Sequence, residues 1–338
     1  MTRAKAKILL TICIGFILLL VVGSLTYNFV YDGKIPQTLL SYNEDGRIIG
    51  KAPFSPSVQH PLGTDRNGYD LLYKVLQGAQ YTLGAAVVIS LLSFVISFVF
   101  GIFWGFFETA NRFVSQTVLS SLYFIPQSII AYNILFPLLW EPRGGFDTTF
   151  SERVLLTIIT LALITVPTTA VLISNETREI LKKEFILSAK VLGGSKFFVL
   201  IKHVLPHLKA RLFIIYPKIV IQVLLIIAHL GFFKLFFGGT DVCYGPFCDP
   251  PKPIVQEWAG LMAMNFHELF NAWWIFMAPM LFFSLTILSL NGITKGVEAL
   301  SVTSVNADLK KGQEEKVPPT TAGKRGFTGE DFQRVNGY

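Results

Sequence analysis

The stretch TLGAAVVISLLSFVISFVFGIFWGFF, residues 82–107, contains no charged side chain over 26 positions. A membrane-crossing helix needs about 20 consecutive apolar residues. A helix also satisfies its own backbone hydrogen bonds, which lipid cannot do. The alternation of polar and apolar residues that is typical of a transmembrane strand is absent. The stretch therefore predicts a membrane-spanning helix and, with others like it, an all-α polytopic membrane protein.

Other apolar stretches of similar length occur along the chain. The composition agrees with a membrane protein, because only 15% of the residues are charged, against about 25% in soluble domains. A cleaved signal peptide is the alternative for the first stretch, but the stretch is long for a signal and Val21-Val22-Gly23-Ser24 is a weak cleavage site. We therefore predict six membrane helices, at about 8–30, 82–107, 117–140, 154–174, 212–237 and 270–291.

The lysine and arginine residues are distributed unevenly between the connecting segments. With the N-terminus inside, the cytoplasmic segments carry 19 of these residues and the external segments carry 8. Basic segments stay on the cytoplasmic side, so we expect both termini and residues 175–211 to be cytoplasmic. The net charge of +7 is then a topology signal and not a nucleic-acid footprint.

A turn-rich segment, HPLGTDRNGYD at residues 60–70, precedes the second apolar stretch. Gly63 and Gly68 favour turns, and Asp70 is placed to cap the N-terminus of a helix. Leucine, valine and alanine residues follow at helical spacing. They predict an amphipathic helix at the membrane face that leads into the second span.

Residues 184–206, EFILSAKVLGGSKFFVLIKHVLP, form a compact basic segment between two apolar stretches. Small residues at Ser188, Ala189 and Gly193 leave room for a partner surface to approach the backbone. The glycine pair that begins at Gly193 should end a short helix. A second helix should begin near Ser195 and run into the proline at position 206.

Both segments match motifs of a known family. The pattern small-small-x3-Gly-x12-Pro in residues 184–206 resembles the EAA loop of the membrane subunits of ABC importers, although Leu187 replaces the acidic first position. Residues 60–70 closely match the His-Pro-Leu-Gly-Thr-Asp-x-x-Gly-Arg-Asp motif of the C-type permease subunit of dipeptide, oligopeptide and nickel ABC importers, with Tyr69 in place of the arginine. Trp258, the Trp273-Trp274 pair and Pro279 resemble elements before the last span, so the resemblance covers about residues 60–300.

The resemblance implies a fold of the type I ABC importer permease kind, in a bacterial cytoplasmic membrane. It implies a homologous second permease, two ATPase subunits that hold ATP and Mg, and an external substrate-binding protein. The expected parts are an N-terminal helix (1–31), an external loop with an amphipathic helix (32–81), a permease core (82–300) with a cytoplasmic docking loop (175–211), and a disordered cytoplasmic tail (301–338). The residues expected to dock on the ATPase are Glu184, Ser188, Ala189, Gly193, His203 and Pro206.

The fifth apolar stretch carries the polar residues Gln222, His229 and Lys234. Ionisable groups at membrane depth face a cavity or a partner, and Gln222 and His229, seven residues apart, share a helix face. In the resembled family this helix borders the substrate path, so these two residues are pathway candidates. The alternatives are an interhelical hydrogen bond for His229 and a snorkelling end-anchor for Lys234.

Two further patterns have structural and partner interpretations. Small residues at Ser93, Ser97, Gly101 and Gly105 predict close helix packing, either within the chain or against a partner subunit. Cys243 and Cys248 fall on the external side, where a disulfide is the favoured expectation and a pair of free thiols is the alternative.

Sequence motifs for catalysis are absent from the chain. It contains no G-x-x-x-x-G-K-[ST], H-E-x-x-H or C-x-x-C pattern, so we expect no enzyme activity, metal site or cofactor in the chain itself. We predict a permease subunit that forms a path for peptides and couples to separate ATPases. Nickel or other small-solute import, a secondary transporter or channel, and a non-transporting membrane scaffold are the alternatives.

Overall fold

The computed structural model describes residues 2–43, 45–107 and 125–314, with side chains through residue 301. Its elements, in chain order, are α1 (Arg3–Tyr31), β1 (Leu40–Tyr42), β2 (Ile48–Lys51), α2 (Leu71–Phe106), α3 (Gln127–Leu139), α4 (Phe150–Leu181), α5 (Glu184–Val191), α6 (Lys196–Val199), a π-helical turn (Leu200–Val204), α7 (Leu205–Phe232), β3 (Thr240–Asp241), β4 (Lys252–Pro253), α8 (Trp258–Met264), a 3-10 turn (Phe266–Phe270) and α9 (Trp273–Glu314).

The predicted all-α polytopic architecture is confirmed. Five helical segments of the described chain are long and apolar enough to cross a membrane, namely Arg3–Tyr31, Leu71–Phe106, Phe150–Leu181, Lys196–Phe232 and Trp273–Ser301. The stretch expected at 117–140 appears as the shorter helix α3, and residues 117–124 lie outside the described part of the chain. The strands form two small hairpins, β1 with β2 and β3 with β4.

Helix α2 begins earlier than the expected second span. Asp70 caps it as predicted, because its Oδ1 accepts a hydrogen bond from the Leu72 backbone N–H at 2.9 Å. The amphipathic lead and the span form one continuous helix of 36 residues. Leu71, Val75 and Ala79 are all buried in the core, so the apolar face of the lead is packed inside the protein.

The small-residue stripe of α2 packs against α4 of the same chain. The Thr165 hydroxyl donates to the Ser93 hydroxyl at 2.8 Å, deep inside the contact. A Cβ atom added to Gly101 would lie 2.7 Å from the Cβ of Ile173, and one added to Gly105 would meet α4 equally closely. The stripe therefore serves packing within the chain, which was one of the two interpretations of the sequence.

Helices α1 and α9 also meet through glycine. A Cβ added to Gly292 would lie 2.5 Å from the Sγ of Cys13, and Cys13 is a buried free thiol. Helix α9 continues past residue 300 to Glu314, so the first part of the expected tail is helical. No proline or glycine interrupts residues 297–311, which favours continuation of the helix.

The HPLGTD segment folds around two aspartates. The Asp65 carboxylate accepts hydrogen bonds from the backbone N–H groups of Asn67 and Tyr69, both at 2.9 Å. Its second oxygen lies 2.5 Å from Lys74 Nζ. Asp70 accepts from His60 Nδ1 at 2.9 Å through the oxygen that does not cap α2. The motif therefore builds a stiff turn before α2.

Two glycines make this turn possible. Gly63 and Gly68 adopt φ values of +80° and +78°, a conformation that side chains other than glycine disfavour. A Cβ on Gly68 would also lie 2.3 Å from the Thr38 carbonyl oxygen. The turn is joined to the 3-10 turn before α9 by an ion pair between Arg66 and Glu268, whose carboxylate is only 1% exposed.

A π-helical turn precedes Pro206. Within it the Leu205 N–H donates to the Leu200 carbonyl, five residues earlier. A proline in a regular α-helix lacks an N–H and clashes with the carbonyl four residues before it, here that of Lys202. Widening the helix by one residue per turn avoids this clash, so the chain continues through Pro206 into α7 without breaking.

Candidate functional site

Helices α3, α4 and α7 line an open cavity of about 610 Å³. Its volume lies within the ~300–1,000 Å³ that is typical of small-molecule sites. Most of its wall is apolar, but several polar side chains from all three helices converge on it. These side chains are Gln127, Ser128, Thr168, Thr169, Lys218, Gln222 and His229.

A cluster of two glutamines and a threonine joins the three helices at this cavity. Gln222 Nε2 on α7 donates to Gln127 Oε1 on α3 at 2.6 Å and lies 3.1 Å from the Thr168 hydroxyl on α4. Gln127 Nε2 approaches the same hydroxyl at 3.1 Å. The neighbouring Thr169 hydroxyl is buried and has no hydrogen-bond partner among the described residues. The cluster offers both donors and acceptors to a polar solute.

His229 lies two helical turns from Gln222 along α7 and lines the same cavity. Its side chain is exposed, and no hydrogen bond of the imidazole occurs within the described chain. The two pathway candidates are therefore brought to one site. The alternative was an interhelical hydrogen bond, but the His229 imidazole has no donor or acceptor to pair with among the described residues.

Lys218 adds a positive charge to the cavity. It precedes Gln222 by one helical turn, and its side chain is 51% exposed. Its Nζ lies 3.8 Å from Glu298 Oε1 on α9, a distance that leaves the ammonium largely available to water. The sequence analysis did not single out Lys218, although its spacing of four from Gln222 is the signal for a shared helix face.

Lys234 is not part of this face. Helix α7 ends at Phe232, before the expected boundary at residue 237. Lys234 takes a positive φ of 62°, and its ammonium donates to the Ala263 carbonyl oxygen. It therefore fixes the end of α7 to α8 and is not a free snorkelling anchor.

The segment 184–206 packs one side against the core and leaves the other side open. Ile186, Val199 and Val204 are at most 1% exposed and hold the segment to the helices. The opposite side presents an apolar docking surface, which we define as Leu187 (63% exposed), Val191 (80%), Leu192 (87%) and Phe197 (70%). Sequence reasoning noted Leu187 only as the loss of an acidic residue.

The six expected docking residues surround this surface. Gly193 ends α5 with a φ of +82°, and a Cβ added there would meet no atom within 4 Å. Glu184 and Ser188 are exposed, Ala189 is half-buried, and the Ser188 hydroxyl donates to the Glu184 carbonyl at 3.0 Å. At the far end, the His203 ring stands edge-on to Phe198 at 5.7 Å, and Pro206 is exposed.

At the opposite end of the helices, Cys243 and Cys248 are joined by a disulfide. Tyr244, inside the closed loop, accepts a hydrogen bond from Trp140 Nε1 at 3.2 Å. Its hydroxyl donates to the Glu141 carbonyl at 2.6 Å. The loop is therefore fixed to the segment that follows α3.

Glu257 is a buried carboxyl at the start of α8. Its residue is 1% exposed, and Oε2 has no hydrogen-bond partner within the described chain. Burial raises the pKa of Glu257 to about 7, against the opposing effect of backbone N–H groups from Phe237, Ala259 and Gly260. The sequence carried no signal for this, because Glu257 lies in an ordinary connecting segment.

Comparison with known proteins shows that the chain is similar to permease proteins of transport systems. No family model matches it. A putative peptide transport system permease protein of Brucella suis is 23% identical over 242 residues, which cover 72% of this chain and 73% of the relative. The peptide transport system permease protein SapC of Escherichia coli O6:H1 is 26% identical over 270 residues (78% and 82%). The glutathione transport system permease protein GsiD of Escherichia coli O1:K1 is 24% identical over 242 residues (72% and 71%).

Together, the helices and the relatives describe a multi-pass membrane protein that is similar to permease proteins. The resemblance drawn from residues 60–70 and 184–206 is confirmed, because the relatives are permease proteins of peptide and glutathione transport systems.

Proposed function

We propose that the chain is the C-type permease subunit of an ATP-driven importer, and that it forms a translocation path for peptides together with a second, homologous permease. One of two ATPase subunits binds the apolar docking surface, the two ATPases hold the ATP and Mg, and an external binding protein delivers the substrate. The subunit lies in a bacterial cytoplasmic membrane with both termini cytoplasmic.

One observation above all supports a coupling between ATPase binding at the docking surface and the translocation path. A single helical run, Lys196–Phe232, carries Phe197 of the docking surface near its start and the cavity residues Gln222 and His229 further along. Buried side chains hold the run to the core on the side away from the docking surface. A displacement of Phe197 by a partner would therefore reach the cavity through one continuous element, which suits a change between two states of access.

The polar groups of the cavity favour peptides as the substrate. Glutamine amides and a threonine hydroxyl can exchange hydrogen bonds with the N–H and C=O groups of a peptide. The exposed Lys218 ammonium can attract a terminal carboxylate. Nickel would favour imidazole ligands, and His229 is the one histidine among the residues that line this cavity.

The docking surface provides the direct test. Val191→Asp puts a charge in the middle of an apolar partner contact, where an unpaired charge is costly. The control is Ile48→Asp, at an exposed apolar residue (61%) of the β1–β2 hairpin. We expect Val191→Asp to insert in the membrane but to lose the ATPase subunits on affinity purification and to lose uptake of a labelled dipeptide. Retention of both by Val191→Asp would refute the docking assignment.

A further inference from the structure

A second pocket, of about 370 Å³, lies outside the cavity, at the start of α2. Helix α2 runs parallel to α4, because Ser93, Gly101 and Gly105 meet α4 at successively later residues. Since α4 leads into residues 184–206, the start of α2 and this pocket lie at the end of the helices away from the docking surface. Lys74, Gln77 and Tyr81, at spacings of three and four, share the face of α2 that forms one wall. Tyr69 and Gln256 complete the polar lining. We call this site the polar pocket.

Several polar groups of the polar pocket have no protein partner. Gln77 Nε2 donates to the Gly33 carbonyl at 3.0 Å, but its Oε1 is buried and unpaired among the described residues. In the same part of the chain, no side-chain hydrogen bond is formed by the hydroxyls of Tyr69 and Tyr81 or by the amide of Gln256. Of these groups only Gln77 Oε1 is buried, while Tyr69, Tyr81 and Gln256 are half-buried. Native proteins pair nearly all buried polar groups, so Gln77 Oε1 is the atom for which a bound partner is expected.

The polar pocket carries little net charge. Its only cation among the described lining residues is Lys74, whose side chain is 13% exposed and lies 2.5 Å from the Asp65 carboxylate. The same ammonium stands 4.9 Å from the centre of the Tyr69 ring. An anionic ligand would have to compete with Asp65 for this lysine. An uncharged ligand with both donors and acceptors fits better.

We propose that the polar pocket binds an uncharged amide group, such as the backbone of a short peptide. Gln77 Oε1 accepts from the amide N–H, and the Tyr81 hydroxyl and the Gln256 amide donate to the C=O. Tyr69 stands where the resembled family has arginine, so this neutral lining belongs to this chain and not to the family motif. The site is independent of the proposed translocation path, because it shares no residue with the cavity.

The test uses the purified full chain in lipid nanodiscs and the neutral probe N-acetyl-alanyl-alanine amide. Binding is followed by saturation-transfer NMR. Loss of one hydrogen bond of ordinary strength weakens binding about fivefold, which we expect for Tyr81→Phe. Gln77→Met removes the unpaired acceptor and should weaken binding more. Tyr73→Phe is the matched control, since it removes a hydroxyl from the same helix outside the polar pocket and should leave binding unchanged.

Inorganic phosphate serves as the opposing probe. Displacement of the peptide probe by phosphate would overturn the amide assignment, as would equal binding to the native chain, Tyr81→Phe and Gln77→Met. The amide can come from a free peptide or from a loop of a partner protein. A photo-crosslinking residue in place of Tyr81 separates these sources in membranes. A free peptide gives a labelled-peptide adduct, whereas a partner loop gives a larger protein adduct. In either case an excess of N-acetyl-alanyl-alanine amide must suppress the adduct.

Discussion

At the scale of single residues, Glu257 is the group whose protonation is most strongly controlled by the fold. Its pKa is about 7 in the folded chain against an ordinary value of 4.5. Below about pH 4.5 the carboxyl is protonated in both states. Between pH 4.5 and 7 only the unfolded chain loses the proton, so the free energy of unfolding falls as the pH rises, and it levels off above pH 7.

We therefore expect the native chain to melt at a lower temperature at pH 8 than at pH 5. The contribution of Glu257 is of the order of 3 kcal/mol. Glu257→Gln should remove most of this pH dependence, while Glu184→Gln, at an exposed site, should keep it. The measurement is thermal unfolding of the purified chain in detergent at the two pH values. An unchanged pH profile in Glu257→Gln would show that the carboxyl is ionised in the folded state.

His229 gives a second prediction at this scale. Because its imidazole is exposed to the cavity and makes no hydrogen bond in the described structure, His229→Leu should leave the melting temperature within about 1 °C of the native value. A stranded interhelical bond in a membrane protein would cost about 0.6–1 kcal/mol. Uptake of labelled dipeptide, or its coupling to ATP turnover, should change instead. A lowered melting temperature with normal uptake would assign His229 a structural role.

Residue-scale interpretation from the sequence succeeded where a local rule decides the conformation. Asp70 caps α2 and Gly193 ends α5 because short-range geometry sets these roles. The partners of Gln222 could not be predicted, since Gln127 and Thr168 lie 95 and 54 positions away. Only the packing of three helices brings these groups together.

At the scale of elements, the contact between α2 and α4 depends on the absence of side chains at two glycines. A Cβ at Gly101 would also lie 2.9 Å from the Ala170 carbonyl oxygen, which is backbone and cannot move aside easily. We expect Gly101→Ala to destabilise the chain by about 1–3 kcal/mol through overpacking. Unfolding in mixed detergent measures this.

Gly84→Ala on the same helix is the control. A Cβ added to Gly84 meets nothing within 4 Å, and alanine favours a helix more than glycine does. The control should therefore be neutral or slightly stabilising. Equal stability of the two variants would mean that α2 and α4 can separate without cost at this contact.

The limits of prediction at this scale have physical causes. Hydropathy placed the long helices, because a bilayer imposes length and composition on each span separately. It placed the start of α2 too late, since the buried lead at Leu71 and Val75 carries polar neighbours that lower the local hydropathy. It also gave no sign of the π-helical turn at Leu200–Val204, which depends on the clash between Pro206 and the carbonyl of Lys202.

At the scale of the whole molecule, topology is the testable property. The asymmetry of 19 against 8 basic residues predicts that residues 184–206 lie inside the cell and the Cys243–Cys248 loop outside. After mild reduction, a membrane-impermeant thiol reagent on intact cells should label the native pair. It should spare Ser195→Cys in a chain whose two loop cysteines are replaced by serine. Labelling of Ser195→Cys in sealed cells would invert the orientation.

The Arg66–Glu268 ion pair has a mechanical consequence for such a molecule. It ties the turn before α2 to the segment before α9, while α9 itself lies against α1 at Gly292 and Cys13. Helices α1, α2 and α9 are thus joined to one another as one unit. Helix α4 packs against this unit through the glycines of α2. Helix α3 packs Ala131, Leu135 and Leu139 into the core, but at the cavity it is joined to α7 by the Gln127–Gln222 hydrogen bond and by no ion pair of the described residues. A movement that admits a solute would therefore take place at α3, so the bundle would open on one side only.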